Sequence, residues 1–375
     1  MKVNSFAKAI KHLDINIITG VPDSTLKVFC DYVNGITEEK FEHYITANEA
    51  GAVGLAIGTY LATRRPACIY MQNSGLGNIV NPITSLANEK VYDIPMLLVI
   101  GWRGEPGKKD EPQHKFMGEI TLNLLEDLNI QYSILSNLTT EEELNIIFQK
   151  AIREINNNKQ YAMIVTQGTF IENTNNKYID SKEELSREEV IKTILQYAES
   201  DSLIVSTTGK ISREVYEQSN NIYGNHDRIF LTVGGMGNAS MIASGIAVSV
   251  PNKKVYCIDG DGATLMHMGN LAFIGKTMPR NLIHICLNND AHESVGGMPT
   301  AAVGLPYSII ADNCGYTYSN CINSMSELKQ SLQVVKLKEG TIFLEVKVKN
   351  ESRGNLSRPN ELAKENKIKF MENFK

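Results

Sequence analysis

Lys254 to Asn289 reads KVYCIDGDGATLMHMGNLAFIGKTMPRNLIHICLNN, and this stretch decides the fold. An apolar, β-branched run, Val255 to Ile258, stops abruptly in Asp259-Gly260-Asp261-Gly262. A helix-like segment with small residues follows, Ala263 to Lys276, and a second apolar run, Leu282 to Leu287, ends in Asn288-Asn289. Strand, turn, helix, strand is the repeating unit of a parallel α/β sheet. Each strand here ends in an oxygen-bearing side chain, at the place where such sheets hold ligands.

The residue types at those ends suit a bulky anion and a hard metal. Gly260 and Gly262 let the backbone turn sharply and approach a ligand without a side chain in the way. A helix opening just past Gly262, at Ala263, aims free N–H groups at phosphate. Asp261 and Asn289 offer oxygen ligands of the kind Mg²⁺ accepts while phosphate and water complete its octahedron. A lone Asp-Gly turn is commonplace; the Asn pair at a second strand end sets this one apart.

A chain of 375 residues has room for about two domains of roughly 100–200 residues each. No window of about 18 apolar residues occurs, which excludes an apolar helical membrane span. The N-terminal stretch carries scattered charges and lacks the apolar centre of a signal peptide. Six cysteines, at 30, 68, 257, 286, 314 and 321, form no C-x-x-C pair. Buried reduced thiols and a cytoplasmic location are therefore expected. The formal charge of −5 argues against a general nucleic-acid partner. An anionic substrate must find positive charge locally.

From the N-terminus, Asn4 is a candidate cap for a helix over Ser5 to Leu13, ahead of a strand over Ile15 to Thr19. The turn Gly20 to Ser24 sits at that strand's carboxyl end, with Ser24 able to cap the next helix. Asp23 and Ser24 can be explained by capping alone, yet they lie where a substrate would be touched. Glu49 opens a helix rich in small residues (Gly51, Gly54, Gly58), whose glycines cost about 1 kcal/mol each relative to Ala. Close packing of its backbone is the expected compensation. A strand over Ala67 to Met71 ends in the polar, glycine-rich corner Gln72 to Asn78. Beyond the strand Ile94 to Ile100 lies the Gly101 to His114 loop, long enough to suggest a lid. For Lys108, Lys109, Asp110 and Glu111 taken singly, a solvated charge run is the simpler reading.

The pattern predicts two doubly wound α/β domains with parallel sheets: residues 1–170, a polar linker over 171–184, and residues 185–375. In the second, Ser186 and Glu189 form a capping-box pattern. Strands are expected over 202–206, 229–232 and 341–348, the last half-exposed. Helices are expected over 239–249, 307–313, 324–337 and from Arg358.

The stretches TGVPDS (19–24), MQNSGLGN (71–78), YDIPMLLVIGWRGEPGKKDEPQH (92–114), STTGK (206–210), DGDGA (259–263), NN (288–289) and AHESVGG (291–297) resemble the phosphonopyruvate decarboxylase family. These are thiamine-diphosphate-dependent 2-keto acid decarboxylases of phosphonate biosynthesis. The resemblance implies that 1–170 binds the cofactor's pyrimidine, contributing Glu49 and the long loop, and that 185–375 binds its diphosphate and Mg²⁺. Asp261, Asn289 and the Ala291 carbonyl would hold the metal. Gly260, Gly262 and Ala263 would cradle the diphosphate, Met236 would support the folded cofactor, and the Gly234 carbonyl would take the pyrimidine amino group.

Glu49 would hydrogen-bond the pyrimidine ring. His292, His114 and Asp23 all stand as proton-transfer candidates. Ser24, Arg103, Lys108, Lys109, Lys210 and Arg213 are candidates for binding phosphonopyruvate. The family normally builds its active sites between subunits, which implies a homo-oligomer. The chain departs from the resembled pattern at Asp290 (Gly), Met298 (Gln) and in Gly234-Gly235-Met236-Gly237-Asn238 (Gly-Ser-Met-Gly-His). Sulfopyruvate decarboxylation, carboligation and a catalytically silent cofactor-binding scaffold are the competing readings.

Overall fold

The structure, a computed structural model, describes residues 1–35, 39–171 and 183–374. It divides into two compact units, Met1–Tyr178 and Ile179–Lys375. Of the linker expected over 171–184, residues 172–182 lie outside the described residues.

Unit 1 runs α1 (Val3–Lys11), β1 (Ile17–Gly20), α2 (Lys27–Asn34), β2 (Glu42–Ile45), α3 (Glu49–Thr63), β3 (Ala67–Gln72), α4 (Leu76–Pro82), β4 (Met96–Gly101), α5 (Pro112–Asp127), β5 (Gln131–Leu135), α6 (Glu141–Asn156) and β6 (Gln160–Val165). Its six strands are all parallel, in the order β2-β1-β3-β4-β6-β5.

Unit 2 runs α7 (Arg187–Tyr197), β7 (Leu203–Ser206), α8 (Lys210–Tyr223), β8 (Ile229–Leu231), α9 (Ala239–Ser249), β9 (Val255–Gly260), α10 (Asp261–Met266), α11 (Gly269–Thr277) and β10 (Leu282–Asn288). A two-residue ribbon, β11 (Ala291–His292) and β12 (Met298–Pro299), precedes α12 (Tyr307–Asn313), β13 (Tyr318–Ile322), α13 (Met325–Leu337), β14 (Ile342–Lys347) and α14 (Ala363–Met371). Its main sheet is also parallel, in the order β8-β7-β9-β10-β14-β13. Counted from each unit's first strand, the two orders are the same. In both, the order reverses between the first strand and the third, and a doubly wound sheet binds at that switch point.

Burial explains why the central strands were legible. β4 and β10 are buried at every residue, so β4 reads as an unbroken apolar run and β10 as one interrupted only by His284 before its terminal Asn288. In unit 1, Ile69, Met71, Leu98 and Ile100 pack with Ala52, Val53, Ala56, Leu76 and Ile79.

Several expectations need correction. β2, with the sequence EHYI, is an edge strand whose burial alternates with exposure, and β13 and α8 were likewise not expected. Helix α1 starts at Val3 behind Lys2, and Asn4 does not cap it. Ser186 makes no capping bond; the reciprocal box forms at Thr140 and Glu143. The long loop ends sooner than His114, because Pro112 opens α5, where its missing N–H costs nothing. The helix expected over Ala263 to Lys276 breaks in two where His267 leaves helical backbone (φ −126°, ψ 45°). β14 is buried, not half-exposed, apart from Lys347. The exposed face of α3 also departs from expectation: a Cβ at Gly54 or Gly58 would meet nothing within 4 Å.

Candidate active site

In unit 1 the polar corner after β3 is a hub for side chains that sequence reasoning had placed separately. Gln72 Nε2 donates to Asp23 Oδ1 at 2.6 Å. Asn73 Nδ2 donates to the Arg103 carbonyl at 2.8 Å, and its Oδ1 accepts the Arg103 N–H at 3.1 Å. Asn78 Nδ2 donates to Glu49 Oε2 at 2.6 Å. A Cβ at Gly75 would lie 2.6 Å from Glu49 Oε1, so only glycine lets that carboxyl sit where it does. Glu49 is the first residue of α3, is 5 % exposed, and follows Asn48, whose side chain accepts the Gly51 N–H.

Asp23 is 1 % exposed. Its Oδ2 accepts the N–H groups of Thr25 at 2.9 Å and Leu26 at 3.3 Å. Burial pushes its carboxyl above the ordinary range against the pull of Gln72, the Arg103 charge and those N–H groups. A Cβ at Gly101 would fall 2.2 Å from Asp23 Oδ2, so the end of β4 must be bare for this arrangement to exist.

The loop beyond β4 is organised by one ion pair. Arg103 Nε and Nη2 donate to Asp110 Oδ2 and Oδ1 at 2.8 and 2.6 Å, and its Nη1 reaches Ser24 Oγ at 3.1 Å. The Arg103 hydrogen bond, followed by backbone N–H groups, holds the Asp110 carboxyl well below the usual carboxylate range. His114 sits half-buried on α5, and burial together with the Arg103 charge lowers its pKa. Lys108 and Lys109 are exposed.

In unit 2 the ends of β9 and β10 meet as expected. Asp261 opens α10 and is 3 % exposed. Its backbone carbonyl accepts from Tyr307 Oη at 3.2 Å, and burial pushes its carboxyl up to about 7. Among the described residues its Oδ2 has no hydrogen-bond partner. A buried acceptor left in that state costs about 1–3 kcal/mol, more if charged. Asn289 Oδ1 accepts the Ala291 N–H at 3.1 Å. Asn288 is fixed more firmly: its Nδ2 donates to Glu345 Oε1 at 2.9 Å, and its Oδ1 accepts the Asp290 N–H at 3.0 Å.

A Cβ at Gly262 would lie 3.1 Å from His292 Cε1 and 3.3 Å from Met236 Cε. Three of the expected residues, Gly262, His292 and Met236, therefore converge here. Burial pushes the His292 imidazole down to about 4. The turn carrying Gly234 and Met236 has Gly235 at φ 63° and Gly237 at φ 87°. Asn238 closes it, donating through Nδ2 to the Gly235 carbonyl at 2.9 Å.

The expected phosphonate cations of unit 2 are engaged otherwise. Lys210 Nζ donates to Glu293 Oε1 at 3.0 Å and to Ser352 Oγ at 2.7 Å. Glu293 also pairs with Arg187, which forks onto Glu214 with two bonds of 2.7 Å. Arg213 is half-buried on α8.

The departures at Asp290 and Met298 acquire reasons. Asp290 holds φ 55°, a conformation glycine adopts freely and Asp tolerates better than most residues, and its Oδ1 accepts the Gly304 N–H at 3.0 Å. Met298 is wholly buried, where a thioether is satisfied without a partner. Sequence reasoning missed the amides Gln72, Asn73 and Asn78 as site residues. Their clustering at a strand's carboxyl end was the available signal.

Comparison with known proteins shows the family. Residues 3–126 match the N-terminal TPP-binding domain of thiamine pyrophosphate enzymes, and residues 208–346 match the C-terminal one. The chain is 31% identical over 364 residues to a phosphonopyruvate decarboxylase of Streptomyces viridochromogenes, covering 92% of this chain and 88% of the relative. It is 30% identical over 365 residues to the phosphonopyruvate decarboxylase of Streptomyces hygroscopicus, covering 92% and 87%. A sulfopyruvate decarboxylase of Methanosarcina acetivorans is 26% identical over 376 residues, covering 93% and 92%. The cofactor is thiamine diphosphate, and the buried Asp261 Oδ2, without a hydrogen-bond partner among the described residues, suits a metal carried by its diphosphate. The chain belongs to the phosphonopyruvate decarboxylase family and is a thiamine-diphosphate-dependent carboxy-lyase.

Proposed function

We propose that the enzyme decarboxylates 3-phosphonopyruvate to phosphonoacetaldehyde and CO₂ in phosphonate biosynthesis, with Mg²⁺ as the metal. The observation that carries the substrate is the roughly end-to-end similarity to two phosphonopyruvate decarboxylases. Support for Mg²⁺ comes from the buried Asp261 Oδ2, which has no hydrogen-bond partner among the described residues; with Asn289 and the Ala291 carbonyl it would make an all-oxygen set of the kind Mg²⁺ takes.

When bound, thiamine diphosphate supplies the electron sink that lets CO₂ leave a 2-keto acid. The chain's own residues position and protonate. The Glu49 carboxyl, oriented by Asn78, would hydrogen-bond the pyrimidine ring. Met236 would support the bound cofactor, the Gly234 carbonyl would accept from its amino group, and Gly262 and Ala263 would offer N–H groups to its phosphates. His292, beside Gly262, is the candidate that exchanges the product proton, a role typically worth about 10²–10⁴-fold. The Asp23 carboxylate already accepts three hydrogen bonds, which suits it to orienting the corner more than to moving a proton.

Asp110 holds the Nε–Nη2 edge of Arg103, which aims the guanidinium charge and its Nη1 edge, beside Ser24, at an incoming phosphonate. In this reading Arg103, with Ser24, greets the phosphonate, Lys108 and Lys109 raise the local positive charge, and the loop excludes water. Lys210, already paired with Glu293 and Ser352, is not assigned to the phosphonate.

We also propose a homo-oligomer, in which Glu49 of one copy serves the cofactor held by unit 2 of another. α3 and α9 support it, since both are apolar on nearly every side yet leave Leu61 and Val248 exposed. An all-round apolar helix is normally covered.

The test offers phosphonopyruvate, sulfopyruvate and pyruvate separately to the enzyme with thiamine diphosphate and Mg²⁺, following products by NMR. Phosphonoacetaldehyde formed fastest is the expected result. Faster release of sulfoacetaldehyde would replace the substrate assignment with the sulfopyruvate reading, which the Methanosarcina relative favours.

A further inference from the structure

Three chemistry-bearing side chains meet in the core of unit 2 and take no part in the mechanism above. Cys257 and Asp259 are two apart on β9 and so share one face of the sheet. His284 on β10 stands in register with Cys257 and joins them. Cys257 and Asp259 are fully buried, and His284 is 1 % exposed. Their donor atoms lie within 4.8 Å of one another.

Two of those atoms lack partners among the described residues: Asp259 Oδ2 and His284 Nε2. Each side chain's other end is fixed. Asp259 Oδ1 accepts the Gly260 N–H at 2.9 Å, and His284 Nδ1 lies 3.4 Å from Tyr316 Oη. The His284 ring also packs edge-on against Phe343. Asp259 Oδ2 and His284 Nε2 are 3.5 Å apart. A direct charge-assisted hydrogen bond would close to about 2.7–2.9 Å. Two light-atom ligands about 2.0–2.1 Å from a tetrahedral centre stand about 3.3–3.4 Å apart, which is close to the observed gap.

We propose that Cys257 Sγ, Asp259 Oδ2 and His284 Nε2 form a three-ligand site for a divalent transition metal of the Zn²⁺ type, its fourth position left to a small ligand such as water. One sulfur, one imidazole nitrogen and one carboxylate oxygen suit borderline-soft Zn²⁺ and not Mg²⁺. Binding displaces the Cys257 thiol proton to solvent, leaving a thiolate. Tyr316 acts as the outer partner that orients the imidazole, the role a hydrogen bond to the second ring nitrogen usually plays. The ion cross-links β9 to β10 just behind the strand ends that carry Asp261 and Asn288.

The experiment expresses the full chain in zinc- or cobalt-supplemented medium, dialyses it against a chelator, and measures metal by mass spectrometry. The expected result is about one retained Zn²⁺ per chain, lost in Cys257→Ser and kept in Asp261→Ala. That last variant separates this site from the cofactor metal. Cobalt-grown wild type is expected to show a thiolate-to-cobalt charge-transfer band in the near ultraviolet. Wild type without retained metal and without the band overturns the proposal, whatever the variants do. So does retention by a folded Cys257→Ser.

Discussion

Arg103 and Asp110 face each other fork to fork across one loop, Nε to Oδ2 at 2.8 Å and Nη2 to Oδ1 at 2.6 Å. The same carboxylate also accepts the N–H groups of Gly104 at 2.7 Å and Glu111 at 2.7 Å. Asp110 is therefore the post on which the loop is hung, and Arg103 reaches Ser24 from it. Asp110→Asn should lower stability by about 1–3 kcal/mol at pH 7, the scale of bonds to a charged group. The pH dependence has a definite sign. A carboxyl held below its unfolded pKa of about 4 stabilises fully above that value, and the contribution fades as pH falls towards the folded pKa. The gap in urea midpoint between wild type and variant should stay constant from about pH 8 to 5 and narrow below about 4. A gap that widens on acidification would refute this account.

Glu49→Gln keeps the side chain's shape and its contact with Asn78 while removing the charge. The fold should survive, with circular dichroism and thermal midpoint near wild type, while kcat falls by at least about 100-fold, as expected for loss of a proton-transfer partner. Turnover within a few-fold of wild type would remove Glu49 from its proposed role.

Gly75→Ala tests the same carboxyl from the other side. The new methyl would overlap Glu49 Oε1 and Cγ at 2.6 Å, so the carboxyl must move. Steady-state kinetics should show a drop in kcat of about 10–100-fold, since small misplacements are costly in catalysis. Unchanged kcat in a folded variant would show that the placement of Glu49 is not critical.

Asp261→Asn removes the charge at a buried oxygen that has no hydrogen-bond partner among the described residues. The cofactor-free variant should be at least as stable as wild type, yet bind thiamine diphosphate with Mg²⁺ about 100-fold more weakly by titration calorimetry. That magnitude is about 2.7 kcal/mol, within the roughly 2–5 kcal/mol lost on truncating one partner of a buried, hydrogen-bonded charge contact. Wild-type affinity would place the metal elsewhere.

Asp290 separates backbone strain from side-chain bonding. At φ 55°, Asp290→Ala should cost about 1–2 kcal/mol, the left-handed penalty, plus the lost bond to the Gly304 N–H. Asp290→Gly, which relieves the conformation, should stay within about 1 kcal/mol of wild type. Urea denaturation distinguishes the two, and an Ala variant as stable as the Gly variant contradicts the argument.

The parts of the fold that showed in the sequence were those buried on both faces. β4 is an unbroken apolar run, and β9 and β10 are mostly apolar, broken only by Asp259 near the end of β9 and by His284 and the terminal Asn288 in β10; their strand-end residues came with them. β2 was missed because an edge strand keeps polar residues such as Glu42 and His43, whose imidazole finds the Tyr70 hydroxyl at 2.9 Å. β14 was misread because Glu345 and Lys347 look like solvent-facing residues. Inside the sheet they pair with each other at 3.0 Å, and Glu345 takes two further hydrogen bonds. Ser186 has capping chemistry, but its neighbour Arg187 is drawn into the Glu214–Glu293 network and the cap does not form. The residue types of the site were legible. Their partnerships were not, because Gln72 with Asp23 and Arg187 with Glu293 join positions far apart in the chain.

Asn288 owes its orientation to Glu345 on β14, the last strand among the described residues. During synthesis the strand ends of β9 and β10 emerge well before that carboxylate does. The turn bearing Asn289 then lacks one of its two anchors until residues 342–347 have left the ribosome and slotted in between β10 and β13. Cofactor capture thus becomes a late event in the life of each chain. A polypeptide truncated ahead of β14 would carry every motif named at the outset and still be unable to hold the turn in shape.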